Sequence, residues 1–530
     1  MTGEKRTGRA AVAIFFAVLM LLGLCTVRDY TGSYDELAEQ AILASNMKEY
    51  AMALDRIGLS SSYWLQSEAT PISRSVEKDH GISGYYLYGL MFPAFETNET
   101  VRQTLWSVFT WLWFMLGVWS LYAIARHMGC SIFPALLASL LLYLSPRFFV
   151  YGHLNNKDMA VLCMMLATLW QGARFLKRPA ISTGLLFSFV GAMATNTRIV
   201  AVIAWGIVFA CAALKALLER SRKNALALMT TAAGFAACYL LLTPAMWSDP
   251  IGFIQYLFSN AAAFSRWSGR LFFRGASFQL PENPLPVYYL AYMMLVTLPL
   301  YTFPLAAVGQ IRLIRDFFSK PAQFLRDPVK LLLASATGCW VLAFGSFVIL
   351  RPLVYNGWRH FYFTFAGIAV LAAYGIHVLW EWSARKRWLR RMVALVLCLC
   401  FAGTAAGMLL NHPNQGSYYN TLASRNAMET DYWNTSGAGA LKRLIACEER
   451  NTDLPLEVGC YFIDIQNARF KMTDEQKAAL TTTIERDSPY LYYNENYVQV
   501  YEVPYPQGYH VLFEVESYGR LVGTMYERDQ

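Results

Sequence analysis

Apolar residues fall along this chain in long blocks separated by short charged punctuation. The blocks are Ala10 to Thr26, then residues 103–125, 131–149, 158–176, 180–196, 198–218, 224–245, 286–311, 329–350, 360–382 and 390–411. At 1.5 Å rise per residue, each reaches or nearly reaches the ~30 Å of hydrocarbon in a bilayer. The pattern predicts an all-α polytopic membrane domain of about eleven transmembrane helices. Past Leu410 the chain turns polar, which places a boundary near Asn411 and divides it into residues 1–411 and 412–530. In the second part Ser436 is expected to cap a helix carrying Leu441, Leu444 and Ile445. Val458 to Ile465, Tyr490 to Tyr493, Tyr497 to Val503 and His510 to Val515 read as strands, and Thr473 to Glu485 as a helix. The expectation is a small C-terminal extracytoplasmic α/β domain.

The first loop, residues 28–102, is too long to be a simple connector. Leu37, Ala41, Ala44, Met47, Ala51, Leu54 and Ile57 recur at helical spacing, which predicts a helix lying in the membrane interface. Tyr85, Tyr86 and Tyr88, within Gly81 to Phe95, suit the headgroup level.

Composition agrees: 56% of residues are hydrophobic and 15% charged, outside the range of ordinary soluble chains. The net charge of +9 therefore has to be read loop by loop, and no basic arm points to nucleic acid. Lys5, Arg6 and Arg9 precede the first block, which lacks a signal-cleavage pattern and is read as a retained span entering from the cytoplasm. Arg126-His127, Arg174 with Lys177-Arg178, Arg220 to Lys223, Arg312 to Lys330 and Arg385 to Arg391 then all fall on that same side. The positive-inside rule makes it the cytoplasmic one. The loop 28–102, the segments 147–158, 247–286 and 351–359, and the tail fall outside.

Most cysteines lie in apolar blocks, where they act as small hydrophobes. Cys447 and Cys460 are candidates for an extracytoplasmic disulfide. Asn98-Glu99-Thr100 and Asn434-Thr435-Ser436 match the glycosylation acceptor pattern. No nucleotide-binding glycine loop, Walker motif or Rossmann fingerprint occurs, which argues against an ATP-driven pump.

Chemistry gathers on the outer side. Asp29, Asp35, Glu36 and Glu39 follow the first span. They read either as a hydrated loop start or as a site where Asp35, beside Glu36, is a base with a raised pKa. Between two spans, Ser145-Pro146-Arg147 leads to Asn155-Asn156-Lys157-Asp158. Arg147 and Lys157 either snorkel to lipid phosphates or neutralise a substrate phosphate, with Asp158 a first-turn acid or a second functional carboxylate. Arg351 and Tyr355-Asn356-Gly357-Trp358-Arg359-His360 bring two guanidiniums and an imidazole together. Arg359 is the best single phosphate clamp, because its fork matches phosphate oxygens, and His360 either assists or plays a structural part. Arg198, Arg266, Arg270 and Arg274 add further positive charge.

Asp35-Glu36 after the first span, Ser145-Pro146-Arg147, Asn156-Lys157-Asp158, Tyr355 to His360, and His412-Pro413 through Tyr418-Tyr419-Asn420 to Asp431-Tyr432-Trp433 together resemble the GT-C glycosyltransferases. They are most similar to the bacterial family 39, the protein O-mannosyltransferase and aminoarabinose transferase-like group. The resemblance runs over nearly the whole chain. It implies a GT-C-like membrane domain, a polyprenyl-phosphate-linked sugar donor, and inverting transfer to a glycan, lipid or protein hydroxyl outside the membrane. It implies Asp35 as base with Glu36 as its neighbour, Asp158 as a second acidic group, and Lys157 and Arg359 as donor phosphate contacts, to which the reading of the residues themselves adds His360 and Arg147. Members differ in metal dependence, and a divalent cation is compatible with this chain but not indicated by it. A secondary transporter or lipid flippase is the alternative; its ionisable residues should lie near the middle of spans.

Overall fold

The computed structural model describes residues 2–59, 62–262, 268–424, 428–448, 454–460 and 465–529. All eleven apolar blocks lie on helices: α1 (Thr2–Thr26), α3 (Glu99–His127), the pair α4 (Ile132–Tyr143) and α5 (Pro146–Leu154), α6 (Asp158–Lys177), α7 (Ile181–Thr197), α8 (Val202–Glu219), α9 (Arg222–Leu242), the pair α10 (Tyr289–Thr297) and α11 (Thr302–Ser319), α12 (Pro328–Leu350), α13 (Thr364–Ser383) and α14 (Arg387–Leu410). Not all are straight spans. Among the described residues eight helices are long and apolar enough to cross a membrane, and ten if each bent pair is one span. α7, with 17 residues, falls just short. The chain is a multi-pass membrane protein.

The bends have local causes. Pro146 lacks an N–H and forces Ser145 into extended backbone, so α4 and α5 meet at 66°. α10 and α11 turn by 116° across the break that follows Thr297.

Without a hydrophobic drive inside lipid, helices there associate through close packing of small residues. α11 and α13 show this. A Cβ on Gly375 would run into the Leu305 carbonyl oxygen, and one on Gly309 into that of Leu371.

The first-loop helix, α2 (Asp35–Asp55), forms as expected but shows an unexpected face inward. Glu36, Glu39, Ile42, Leu43, Asn46, Met47 and Ala51 are buried, whereas Leu37, Leu54 and Ile57 remain exposed. Tyr85 and Tyr88 turn into the protein. Both are buried, their hydroxyls bonded to Thr110 and to the Arg102 carbonyl.

Beyond α14 lie α15 (Thr435–Glu448) and a five-stranded sheet. In that sheet β3 (Leu456–Cys460) pairs in parallel with β4 (Leu480–Thr483) and β5 (Tyr490–Asn494). β7 (Arg520–Arg528) runs antiparallel between β5 and β6 (Tyr509–Ser517). A hairpin of β1 (Gly269–Phe273) and β2 (Ala276–Leu280) lies between α9 and α10 in sequence.

Four tail expectations are corrected. Leu480–Thr483 is a strand, so the helix from Thr473 stops at Ala478. Glu495–Tyr501 is the short helix α16, because the Asn494 side chain caps it by accepting from the Asn496 N–H. Ser436 does not cap α15: its N–H and hydroxyl donate to Asp431, which also takes the Thr435 N–H. Cys447 and Cys460 remain thiols and form no disulfide. Residues 461–464 of the strand expected over Val458 to Ile465 lie outside the described residues.

Replacing Gly375 with Leu should drive α11 and α13 apart, at a cost of about 1–3 kcal/mol. The thermal midpoint of Gly375→Leu in detergent is expected to fall. That of Gly403→Leu, on α14 where a Cβ would meet no atom within 4 Å, is expected to stay unchanged.

Candidate active site

The sharp link between α5 and α6 fixes two of the expected residues. The Asn155 carbonyl oxygen Oδ1 accepts from the N–H groups of Lys157 (3.2 Å) and Asp158 (2.7 Å), a side-chain turn that starts α6 at Asp158. Lys157 Nζ reaches Glu39 Oε1 on α2 at 2.8 Å. Asp158 is held by Arg198 at 2.5 Å and by the Asn155 amide at 3.2 Å. Both carboxylates and Lys157 are buried.

Arg359 is presented by a strained turn. Gly357 (φ 69°) and Trp358 (φ 57°) are both left-handed. Glycine tolerates this, whereas Trp358 needs support. Its indole N–H donates to Thr297 Oγ1 at 2.9 Å, and the preceding Asn356 donates to Glu429 Oε1 at 2.7 Å. The buried Arg359 guanidinium lies 4.6 Å from the ring centres of Tyr355 and Trp433 and 5.1 Å from that of Tyr432. This is an aromatic cage suited to a desolvated cation. Its Nη1 donates to Asp35 Oδ2 at 2.9 Å, and Asp35 keeps 47% of its side chain exposed while Arg359 keeps 4%.

First loop, α5–α6 link, end of α7 and the turn before α13 therefore meet at one end of the helix bundle. His360 lies among their cations. Burial, then the charges of Arg198, Arg359, Lys157 and His80, push its imidazole well below the usual range and keep it neutral. Its Nε2 has no hydrogen-bond partner among the described residues.

Glu36 and Arg147 stand apart from that cluster. Asp35 and Glu36 diverge: Glu36 is fully buried, and burial raises its pKa, opposed by Lys471 from the tail. Lys471 donates to Ser107 Oγ at 2.6 Å and to the Thr31 carbonyl at 3.3 Å, and burial lowers its pKa. Arg147 donates through Nε to the Tyr418 carbonyl at 2.8 Å and stacks 4.2 Å from the Tyr419 ring centre, with Nη2 unpartnered among the described residues. It approaches the Arg359 turn only at Gly357.

Arg351 is exposed at the end of α12 and does not join Arg359. Arg270 and Arg274 lie on and beside the β1–β2 hairpin, and Arg266 lies outside the described residues. No group of three or more His, Cys, Asp or Glu side chains suited to a metal ion occurs among the described residues.

The sequence marks Glu39 only as one of four carboxylates after the first span, with no role of its own, and does not mark Glu429 at all. Glu39 had a readable signal, since four residues after Asp35 it shares a helix face with it. Glu429 had none, because its partners Phe272 N–H (3.0 Å) and Asn356 are remote in sequence.

The family model for dolichyl-phosphate-mannose-protein mannosyltransferases matches residues 79–247, which include Arg147, Lys157, Asp158 and Arg198. Among solved structures the chain is similar to ArnT from Cupriavidus metallidurans in the apo state, at 12% identity, 98% coverage of both chains and a TM-score of 0.48. The same enzyme bound to undecaprenyl phosphate gives 13% identity, 97% and 98% coverage and a TM-score of 0.40. The comparison with curated protein sequences gave no match.

Burial raises the Glu429 pKa to about 7, against hydrogen bonds that lower it. A carboxyl with a raised folded-state pKa stabilises fully below its unfolded value of about 4.5 and loses that contribution as pH rises through about 7. Glu429→Gln keeps the acceptor for Phe272 and Asn356. Its stability should lack the wild-type decline between those pH values, up to ~3 kcal/mol, in denaturation measured across that range.

Proposed function

We propose that this protein is a membrane glycosyltransferase that moves a sugar from a polyprenyl-phosphate-linked donor to an acceptor hydroxyl outside the membrane, with inversion. In this reading residues 1–411 form the membrane domain with a cytoplasmic N-terminus, and residues 412–530 an extracytoplasmic domain. The observation that carries it is the meeting of Asp35, Asp158, Lys157, Arg198 and Arg359, from four remote segments, around a neutral His360. A groove of about 310 Å³ lined by Met294, Phe303, Trp340, Phe344, Thr364 and Ile368 opens a few residues beyond Arg359. Its apolar walls suit a polyprenyl tail.

Asp35 takes the acceptor proton as the acceptor oxygen attacks the anomeric carbon from the face opposite the phosphate. The bond between that carbon and the phosphate oxygen breaks, and polyprenyl phosphate leaves with the electron pair. Arg359, with Lys157 and His360, receives the growing negative charge. Asp158 holds Arg198 in place as a second acidic group. Arg359 Nη1 occupies Asp35 Oδ2 in this structure. The donor phosphate competes for Arg359 and releases Asp35, so the donor binds first and switches on the base. The transporter reading has less support, because the buried charges gather at one end of the bundle rather than at mid-span.

Asp35→Asn should lose at least about a hundredfold in transfer rate while binding donor as well as or better than wild type. Steady-state transfer from a purified lipid-phosphate sugar, with donor titration alongside, tests this; undiminished turnover removes Asp35 from the mechanism. Arg359→Ala should weaken donor binding at least about tenfold, and an unchanged donor affinity counts against the clamp.

A further inference from the structure

At the other end of the membrane body, α11 and α13 splay to leave a groove of about 700 Å³. The 20 residues of α13 separate it from the Arg359 turn by ~30 Å. Arg312, Arg315 and Arg385 line it, against a single lining carboxylate, Glu381. Its inner wall is apolar, formed by Val308, Ile311, Val378 and Leu379, and the half-exposed Trp382 stands at the rim.

The arginines are not used up within the protein. Only Arg312 is paired: its Nε donates to Asp316 at 2.9 Å, and Lys330 holds the same carboxylate. Arg315 and Arg385 form no ion pair among the described residues, and His377 also lines the groove. Snorkelling arginines at a helix end usually spread around its rim. Here they converge on one concavity that has an apolar wall below and an interfacial tryptophan beside it. A ligand matching these features carries a phosphate at the polar end and acyl chains at the other.

We propose that this groove binds the phosphate headgroup of an anionic phospholipid from the leaflet at that end of the molecule, the cytoplasmic leaflet in the orientation given above. The guanidinium forks take the phosphate oxygens, and the acyl chains lie along Ile311 and Val378. This site is independent of the donor chemistry at the opposite end.

The test is native mass spectrometry of the full chain in mild detergent, titrated with phosphatidylglycerol, with phosphatidylcholine of the same acyl chains, and with inorganic phosphate. Phosphatidylglycerol is expected to bind at least about tenfold more tightly than phosphatidylcholine, and inorganic phosphate alone to give no retained adduct. Arg315→Gln/Arg385→Gln should remove about tenfold of the phosphatidylglycerol affinity, while Arg387→Gln/Arg391→Gln, which deletes equal charge from the adjoining helix, changes it less than about twofold. Equal losses in both double variants would mean diffuse surface charge and overturn the proposal. Equal binding of the two lipids, or retention of inorganic phosphate to the same degree, overturns it as well. If the groove variant does not fold, the unmodified chain decides: phosphatidylglycerol must raise its thermal midpoint above that in phosphatidylcholine, and an equal midpoint sinks the idea.

Discussion

One end of this molecule depends on one ion pair, between Asp35 at the start of α2 and Arg359 before α13, groups 324 residues apart in the chain. Arg359 is caged by three aromatic rings and almost wholly removed from water. Removing a guanidinium from water costs several kcal/mol unless an anion answers it. In this structure that anion is Asp35. Because Asp35 is half-exposed, screening keeps the pair's net strength modest. The pair can therefore exchange one anion for another without dismantling the fold, which is the property a phosphate site needs.

Nearly everything that holds this pair in place comes from the tail. Glu429 fixes Asn356 and the Phe272 backbone, and so sets the left-handed turn that aims Arg359. Tyr432 and Trp433 supply two walls of the cage. Lys471 reaches beneath the first loop to Thr31 and Ser107, beside buried Glu36. His412 meets Asp29 at 3.1 Å and Tyr30 at 3.3 Å, which ties the end of α14 to the end of α1. The segment after the last membrane helix is thus structural support for the first loop, built from polar contacts that only the folded chain brings together.

That dependence explains what could be read from the sequence. The apolar blocks fall on helices because the length and composition of a membrane span are local properties. Lys157, Asp158 and Arg359 were legible because charged groups beside apolar blocks are rare enough to stand out. The inward face of α2 was not. Helical spacing predicts the helix, but the groups that meet Glu39 and Asn46 on its inward side, Lys157 and the Tyr86 hydroxyl, come from remote segments. Tyr497 to Tyr501 carries strand-favouring residues and still lies on a helix, since the Asn494 cap is a short-range preference that outweighs a weak propensity. Glu429 and Lys471 carry no local signature, because their importance lies wholly in remote partners.

The neighbouring carboxylates Asp35 and Glu36 make the choice of base a question of access. By pKa alone Glu36 is the better candidate, since burial holds its proton more tightly and leaves a stronger base once that proton is lost. Yet its side chain is fully enclosed, with neither oxygen bonded to a hydrogen-bond partner among the described residues, against Gly32 and Phe470. An acceptor hydroxyl reaching it would have to displace the loop that carries Asp35. A base must first come within hydrogen-bond reach of the proton it removes, and only then does its pKa matter. Asp35 is open to the outside and one bond away from the cation that would hold a phosphate. An anion that drew Arg359 away would free the Asp35 oxygen that now accepts its hydrogen bond.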